Sequence, residues 1–151
     1  MTSSLHGDEV NGVRVIHRLF QNELNPEQLH GTVVAVVVAN LQGFLAGTRG
    51  MDGQDLNRLM PGLLPRPPGS NNIRKANGSA PQQYAYNLLH RLVKKFEYLI
   101  DLHTASKGRI NSLYVRADML NEQTRRMAML QNPQVTIPTT HQRLISQDHR
   151  T

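Results

Sequence analysis

A chain of 151 residues with 38% hydrophobic content has enough apolar material for one compact core and too little for two. It has no cysteine, which excludes disulfides and thiolate metal sites, and its longest apolar run, Val33–Ala39, is far short of the roughly 20 residues a membrane helix needs. The net charge of +6 is spread along the chain, aromatics make up 5% and tryptophan is absent, so the aromatic-plus-basic modules that grip nucleic acid are missing and no nucleic-acid partner is expected.

In chain order, residues 11–22 place Val13, Ile16, Leu19 and Phe20 on one face at three- and four-residue spacing, which predicts an amphipathic helix. Thr32–Ala39 is a β-branched run without alternation, the pattern of a strand covered on both faces of a largely parallel sheet. Residues 40–78 hold much of the Gly, Pro and Asn and show no period, which predicts a long functional loop. Ser79 then caps a second helix with Pro81 in its first turn, Tyr84, Leu88, Leu89 and Leu92 along one side, and Lys94 and Lys95 in its last turn. Tyr98–His103 reads as a second buried strand, Ser112–Met119 as a third, Asn121–Gln131 as a helix and Val135–Ile137 as a short strand. Alternating strands and helices predict an α/β domain over residues 1–138, with sites where strands end, and a polar, disordered tail over 139–151. The N-terminus lacks a signal-peptide pattern, so a cytoplasmic location is expected.

The chemistry begins at His6-Gly7-Asp8-Glu9, where an imidazole and a carboxylate three residues apart can reach one ion, with Gly7 allowing a tight turn between them. Such a pair occurs often by chance and needs a third ligand. His103 supplies it at the carboxyl end of an apolar strand; two His and one Glu make a zinc set that leaves a position open for water. The alternative for His103 is a buried histidine bonded to backbone. Asp101, two residues earlier on the same side of an ideal strand, can hold that imidazole from behind. Between the ligands, Gly47–Arg58 is rich in Arg, Asn and Asp and can present guanidinium forks to a carboxylate; the alternative is a solvated loop whose arginines pair with Asp52 and Asp55.

In this order, His-Gly-Asp-Glu, a strand, Thr48-Arg49 with Asp52 and Asp55-Leu56-Asn57-Arg58, and a strand ending Asp101-Leu102-His103-Thr104-Ala105-Ser106, the chain resembles the succinylglutamate desuccinylase and aspartoacylase family. The resemblance runs over roughly Leu5 to Gln134. It implies a zinc carboxypeptidase-like α/β fold, a mixed, largely parallel sheet with flanking helices, incomplete at the C-terminus. It also implies zinc held by His6, Glu9 and His103, with Arg49 polarising the scissile carbonyl. Asn57 and Arg58 would hold a substrate carboxylate, and Asp55 would serve a supporting role beside them. The implied reaction is hydrolysis of an amide or ester in a small carboxylate-bearing N-acyl amino acid-like compound by zinc-activated water, in a chain free to form a homo-oligomer.

The chain also departs from the family. The family's general-base glutamate lies well downstream of the third ligand, in a segment with no counterpart here; Glu97 and Glu122 are the glutamates to consider, and neither sits in a matching motif. The family's C-terminal β-rich region also has no counterpart, so truncation or a gene model damaged at both ends is expected. Three rivals stand beside deacylation: a metallocarboxypeptidase, a non-catalytic zinc- or anion-binding remnant, and nucleic-acid binding by basic surface.

Overall fold

The computed structural model describes residues 1–60, 78–105 and 108–139, in two compact units, one over Met1–Gly108 and the other from Arg109 onward. The first unit is organised around strand β1, Thr2–Ser3, which pairs in parallel with β2, Asp101–Leu102, with Thr2 opposite Asp101 and Ser3 opposite Leu102. Along the other edge of β1 the chain runs parallel from Val34 to Asn40. Val36 donates to the Met1 carbonyl at 2.9 Å and accepts from Ser3 at 3.1 Å; then Ala39, not residue 38, donates to Ser3 and Asn40 to Ser4, both at 2.9 Å. One extra residue has entered the ladder, as in a β-bulge, and the Ser3 hydroxyl takes up the displaced Val37 carbonyl. The strand expected over Thr32–Ala39 is therefore an extended, half-buried segment with a single regular bridge, Thr2 to Val36.

The strand expected over Tyr98–His103 shortens to Asp101–Leu102. Only those residues find ladder partners on the two-residue β1, and Tyr98 and Leu99 are exposed. Helix α1, Asn11–Arg18, continues through a π turn over Leu19–Glu23. Its buried stripe is Gly12 and Ile16, with Val13 and Leu19 half-buried and Phe20 exposed, because the closest approach to the strands falls at Gly12. A Cβ at Gly12 would lie 2.7 Å from the Ser3 Cβ and 3.0 Å from that of Leu102.

The loop expected over residues 40–78 contains two short helices in its described part, and residues 61–77 lie outside that part. Helix α2, Leu41–Ala46, is capped by Asn40, whose side chain accepts from the Gly43 N–H, and ends at Gly47 in the left-handed region (φ 63°). Helix α3, Leu56–Leu59, is capped by Asp55. Helix α4, Ala80–Asn87, starts at Ser79, whose N–H is taken by the Gln82 side chain, and runs on through a π turn, Leu88–Leu92, and a 3₁₀ turn, Val93–Lys95. Its buried stripe is Pro81, Ala85, Leu89 and Val93 rather than the expected Tyr84, Leu88, Leu89 and Leu92. A strict spacing of four drifts around an ideal helix of 3.6 residues per turn, and the wider π turn offsets that drift. Tyr84 lies at the margin, where its hydroxyl donates to the Ala39 carbonyl.

The core of the first unit is Leu5, Ala39, Leu56 and Ala85, with Val36, Met51, Leu59, Met60 and Leu88 packed against it. Leu5 and Leu56 directly neighbour His6 and Asp55 in sequence, so burying the core also places two polar side chains. In the second unit β3, Tyr114–Ala117, α5, Glu122–Leu130, and β4, Val135–Pro138, form a β-α-β crossover. β3 and β4 are parallel, Asn121 caps α5, and all three elements fall where the sequence places them. The expected tail lies outside the described residues except Thr139. No described helix is long and apolar enough to cross a membrane.

Gly7 lies in the tight turn expected of it, closed by the Glu9 N–H on the His6 carbonyl at 3.1 Å, and serves a second purpose as well. A Cβ there would sit 2.1 Å from the Gly43 carbonyl carbon and 2.3 Å from the Phe44 nitrogen, both main-chain atoms of α2. Gly7→Ala should therefore cost about 3 kcal/mol or more in urea unfolding, at the upper end of overpacking penalties. Gly53→Ala, at φ 74° with open space around it, should cost only the left-handed penalty of about 1–2 kcal/mol. Equal midpoints for the two variants would show that the Gly7 contact does not constrain the fold.

Candidate metal centre

Parallel pairing brings the carboxyl ends of β1 and β2 to the same side, so His6 and His103 leave the sheet together. Ser4, buried and held at φ 52°, redirects the chain after β1 into the loop that carries His6 and Glu9. A non-glycine residue in that region is sparsely populated, and such backbone gathers at functional sites.

His6 and Glu9 are each only 3% exposed, while His103 is more open. The His6 Nδ1 lies 2.9 Å from Glu9 Oε1, the His103 Nδ1 lies 3.0 Å from Glu9 Oε2, and the two Nδ1 atoms are 3.2 Å apart. Donors around a tetrahedral zinc, with bonds of roughly 2.0–2.1 Å, stand about 3.3 Å from one another. The three side chains thus already have the spacing of a metal-ligand set, and the donor chemistry fits a divalent ion.

The remaining imidazole nitrogens are each held by a carboxylate. His6 Nε2 meets Asp55 Oδ1 at 3.0 Å and His103 Nε2 meets Asp101 Oδ2 at 2.7 Å, the outer bonds that orient metal-binding histidines. Asp101 is itself steadied by the Thr2 hydroxyl across the sheet. His103 therefore bonds carboxylates and an imidazole, as a ligand does, rather than backbone. Burial acts to lower the His103 pKa, but the hydrogen bond and charge of Asp101, and then Glu9, outweigh it and raise the imidazole above its ordinary value. Partial burial acts to raise Asp55; the His6 hydrogen bond and charge, Arg49 and the Asn57 amide outweigh it and hold that carboxyl below the ordinary range.

Arg49 reaches the same cluster, with a guanidinium nitrogen 3.1 Å from Glu9 Oε1 and another 3.3 Å from Asp55 Oδ2. Asn57 and Arg58 do not join it. Asn57 is exposed and gives its backbone N–H to Asp55, and Arg58, 86% exposed, approaches Asp55 at 3.5 Å. The alternative of arginines pairing with loop acids is thus realised at Asp55, while Asp52 takes the Gln42 amide. A cavity of about 420 Å³ opens beside Arg49 and Asp55, bordered by Gln42, Thr48 and Asp52; the three metal-type donors do not line it. Glu97 is exposed at the N-terminal side of β2, the end away from His103, and Glu122 starts α5 in the second unit. Sequence reasoning overlooks two contributors. The Thr104 N–H donates to Glu9 Oε2 at 3.0 Å, and Asn40 donates to the Arg49 carbonyl at 3.3 Å. Asn40 could have been found as an N-cap residue; nothing local signals the Thr104 bond.

A His₂-carboxylate cluster at the carboxyl ends of parallel strands, backed by carboxylates and faced by an arginine, makes this an α/β protein with a group of side chains that could hold a metal ion. Residues 1–148 match the succinylglutamate desuccinylase/aspartoacylase catalytic domain, and the chain belongs to that family of deacylating hydrolases. No curated protein matches it. Among solved structures it is similar to a succinylglutamate desuccinylase/aspartoacylase from Rhodobacter sphaeroides at 26% identity and TM-score 0.59, covering 76% of this chain and 32% of that one. It is also similar to the product-bound ectoine utilization protein EutE from Ruegeria pomeroyi, at 25% identity and TM-score 0.53, covering 69% and 28%. An aspartoacylase family protein from Mesorhizobium loti, at 23% identity and TM-score 0.69, covers 89% and 41% and bears on the fold alone. The chain thus spans about a third of the length of the structures it resembles.

Asp101→Asn should separate two effects of the outer carboxylate. Loss of the oriented, electron-rich imidazole should weaken zinc binding at pH 8 by about 10- to 100-fold. Loss of the charge that raises His103 should let the imidazole stay neutral to lower pH. Zinc affinity falls as protons claim His103, so the midpoint of that fall should move down in the variant. Chelator competition from pH 5.5 to 8.5 measures both, and an unchanged affinity and midpoint would remove Asp101 from the site.

Proposed function

We propose that this chain carries the zinc-binding part of a deacylase acting on small carboxylate-bearing N-acyl amino acid-like compounds. The observation behind this reading is the convergence of His6 Nδ1, His103 Nδ1 and the Glu9 carboxylate within 2.9 to 3.2 Å. The chemistry zinc supplies when bound is Lewis acidity toward the scissile carbonyl and a water made nucleophilic near neutral pH. The protein supplies orientation and charge. Glu9 balances the ion's charge and is fixed by the Thr104 amide; Asp55 and Asp101 keep the imidazole Nδ1 atoms turned inward. The Arg49 guanidinium, already at the cluster, is placed to share the negative charge that develops on the carbonyl oxygen. Arg58 and Asn57, exposed on the far side of Asp55, are where a substrate carboxylate would be held.

This reading predicts about one zinc per chain by elemental analysis, lost in His103→Ala. Arg58→Ala should keep its zinc yet bind succinate about tenfold or more weakly by calorimetry, the cost of losing a charged contact. A zinc-free wild-type chain, or unchanged succinate affinity, would contradict it.

A second reading, zinc binding without turnover, draws on the two carboxylates next to the ligand set, Asp55 and Asp101, which are both already bonded to imidazoles. Their bonds to the imidazoles give both an orienting task rather than a dedicated acid-base one, and a positioned acid-base group typically contributes about 10² to 10⁴ in rate. The 151-residue chain loaded with zinc should therefore hydrolyse N-acyl amino acids far below an ordinary rate of about 10 s⁻¹. Turnover at that rate, abolished by Glu122→Gln, would instead assign the proton to Glu122.

A further inference from the structure

Arg49 can act at the metal centre only if its main chain is held at a fixed distance from the ligand loop, and the structure shows how this is done. The Arg49 carbonyl accepts two bonds, from the Gly7 N–H at 3.2 Å and from Asn40 Nδ2 at 3.3 Å. Asn40 is completely buried. Its Oδ1 accepts from the Gly43 N–H at 2.9 Å, its own N–H donates to Ser4, and its carbonyl accepts from Phe44, so it joins the turn after β1, α2 and the arginine turn at one point. The partners fix the amide's orientation, since one side faces an N–H and the other a carbonyl. Close packing supports the same arrangement. A Cβ on Gly43 would lie 2.6 Å from Asn40 Nδ2 and 2.8 Å from the carbonyls of Thr48 and Gly50.

We infer that Asn40 is a positioning residue for Arg49, holding the arginine turn against the His6–Glu9 loop through its side-chain amide and so setting how Arg49 meets a carboxylate ligand. The inference rests on the proposed ligand-binding role of Arg49. The Asn40 side chain bonds the Arg49 carbonyl and the Gly43 N–H rather than a metal-type donor.

Asn40→Asp isolates the amide's second function. The aspartate keeps an acceptor for the Gly43 N–H and is as good an N-cap, but it puts an oxygen where Nδ2 met the Arg49 carbonyl. Two acceptors then face each other in a buried place and the turn must shift. Asn40→Ser keeps a capping oxygen, removes the Nδ2 that reaches the Arg49 carbonyl in favour of a shorter hydroxyl and adds no charge, and it tests the same point if the aspartate variant does not fold. Succinate affinity is measured by calorimetry on zinc-loaded wild type, both Asn40 variants, Arg49→Ala and the double variants, with bound zinc and far-UV circular dichroism recorded for each. Either Asn40 variant should bind zinc at full stoichiometry and succinate about tenfold more weakly, the scale of one lost buried bond. In the Arg49→Ala background the same Asn40 change should have almost no further effect, because the two act as one unit. Full loss in the Asn40 variants on top of Arg49→Ala would show a general structural role and overturn the inference. So would wild-type affinity in both Asn40 variants while Arg49→Ala binds weakly. Unchanged affinity in Arg49→Ala would instead overturn the ligand-binding role of Arg49, and the inference with it.

Discussion

The Glu9 carboxylate is the interaction around which the first unit is arranged. Only 3% exposed, it carries a charge that burial alone would make very costly, and it is compensated by His6, His103, Arg49 and the Thr104 amide. These four partners come from three separate stretches of chain. Their convergence requires β1 beside β2 in parallel, the turn after α2 folded back, and the Thr104 amide at the end of β2. Removing one partner leaves the others facing an under-compensated charge, so the cluster behaves as a unit rather than as independent bonds.

Main-chain packing supplies the rigidity that such a cluster needs. Gly7, Gly43 and Gly50 bring backbone against backbone where a Cβ would meet neighbouring main chain at 2.1 to 2.8 Å. The ligand loop and the arginine turn are seated on the same short helix, α2. Contacts between main chains have no rotamer freedom, so the separation of Glu9 and Arg49 is set more tightly than side-chain packing would set it.

Much of this site was legible in the sequence because its signals are local. His6, Glu9 and His103 are metal-donor types at strand ends, and Asp101 follows from strand alternation at one remove. What was illegible depends on tertiary partners or on elements too short to show a period. Helices α2 and α3 span six and four residues, so no apolar repeat reveals them, although Asn40 and Gly47 are ordinary capping residues in plain view. The β-branched run at Thr32–Ala39 points to a strand covered on both faces where the segment is only half-buried, and the extra residue near Val37 that breaks its ladder depends on what β1 offers it. Phe20 reads as core by spacing, yet the closest approach at Gly12 decides which face of α1 turns inward. The role of Asn40 is invisible locally, since asparagine before a helix is common and its bond to Arg49 spans nine residues.

The exposure of Asn57 and Arg58 has a different consequence. They stand on the solvent side of Asp55, touching the metal cluster only through that single carboxylate, whereas Arg49 is tied into the helix beneath it. The scaffold is therefore divided into a constrained half, where any change in length or bulk disturbs the His6, Glu9, His103 and Arg49 cluster, and an exchangeable half, where side chains can be swapped at little structural cost. Side chains at the rim of α3 can change one exposed residue at a time without the His6, Glu9 and His103 cluster coming apart.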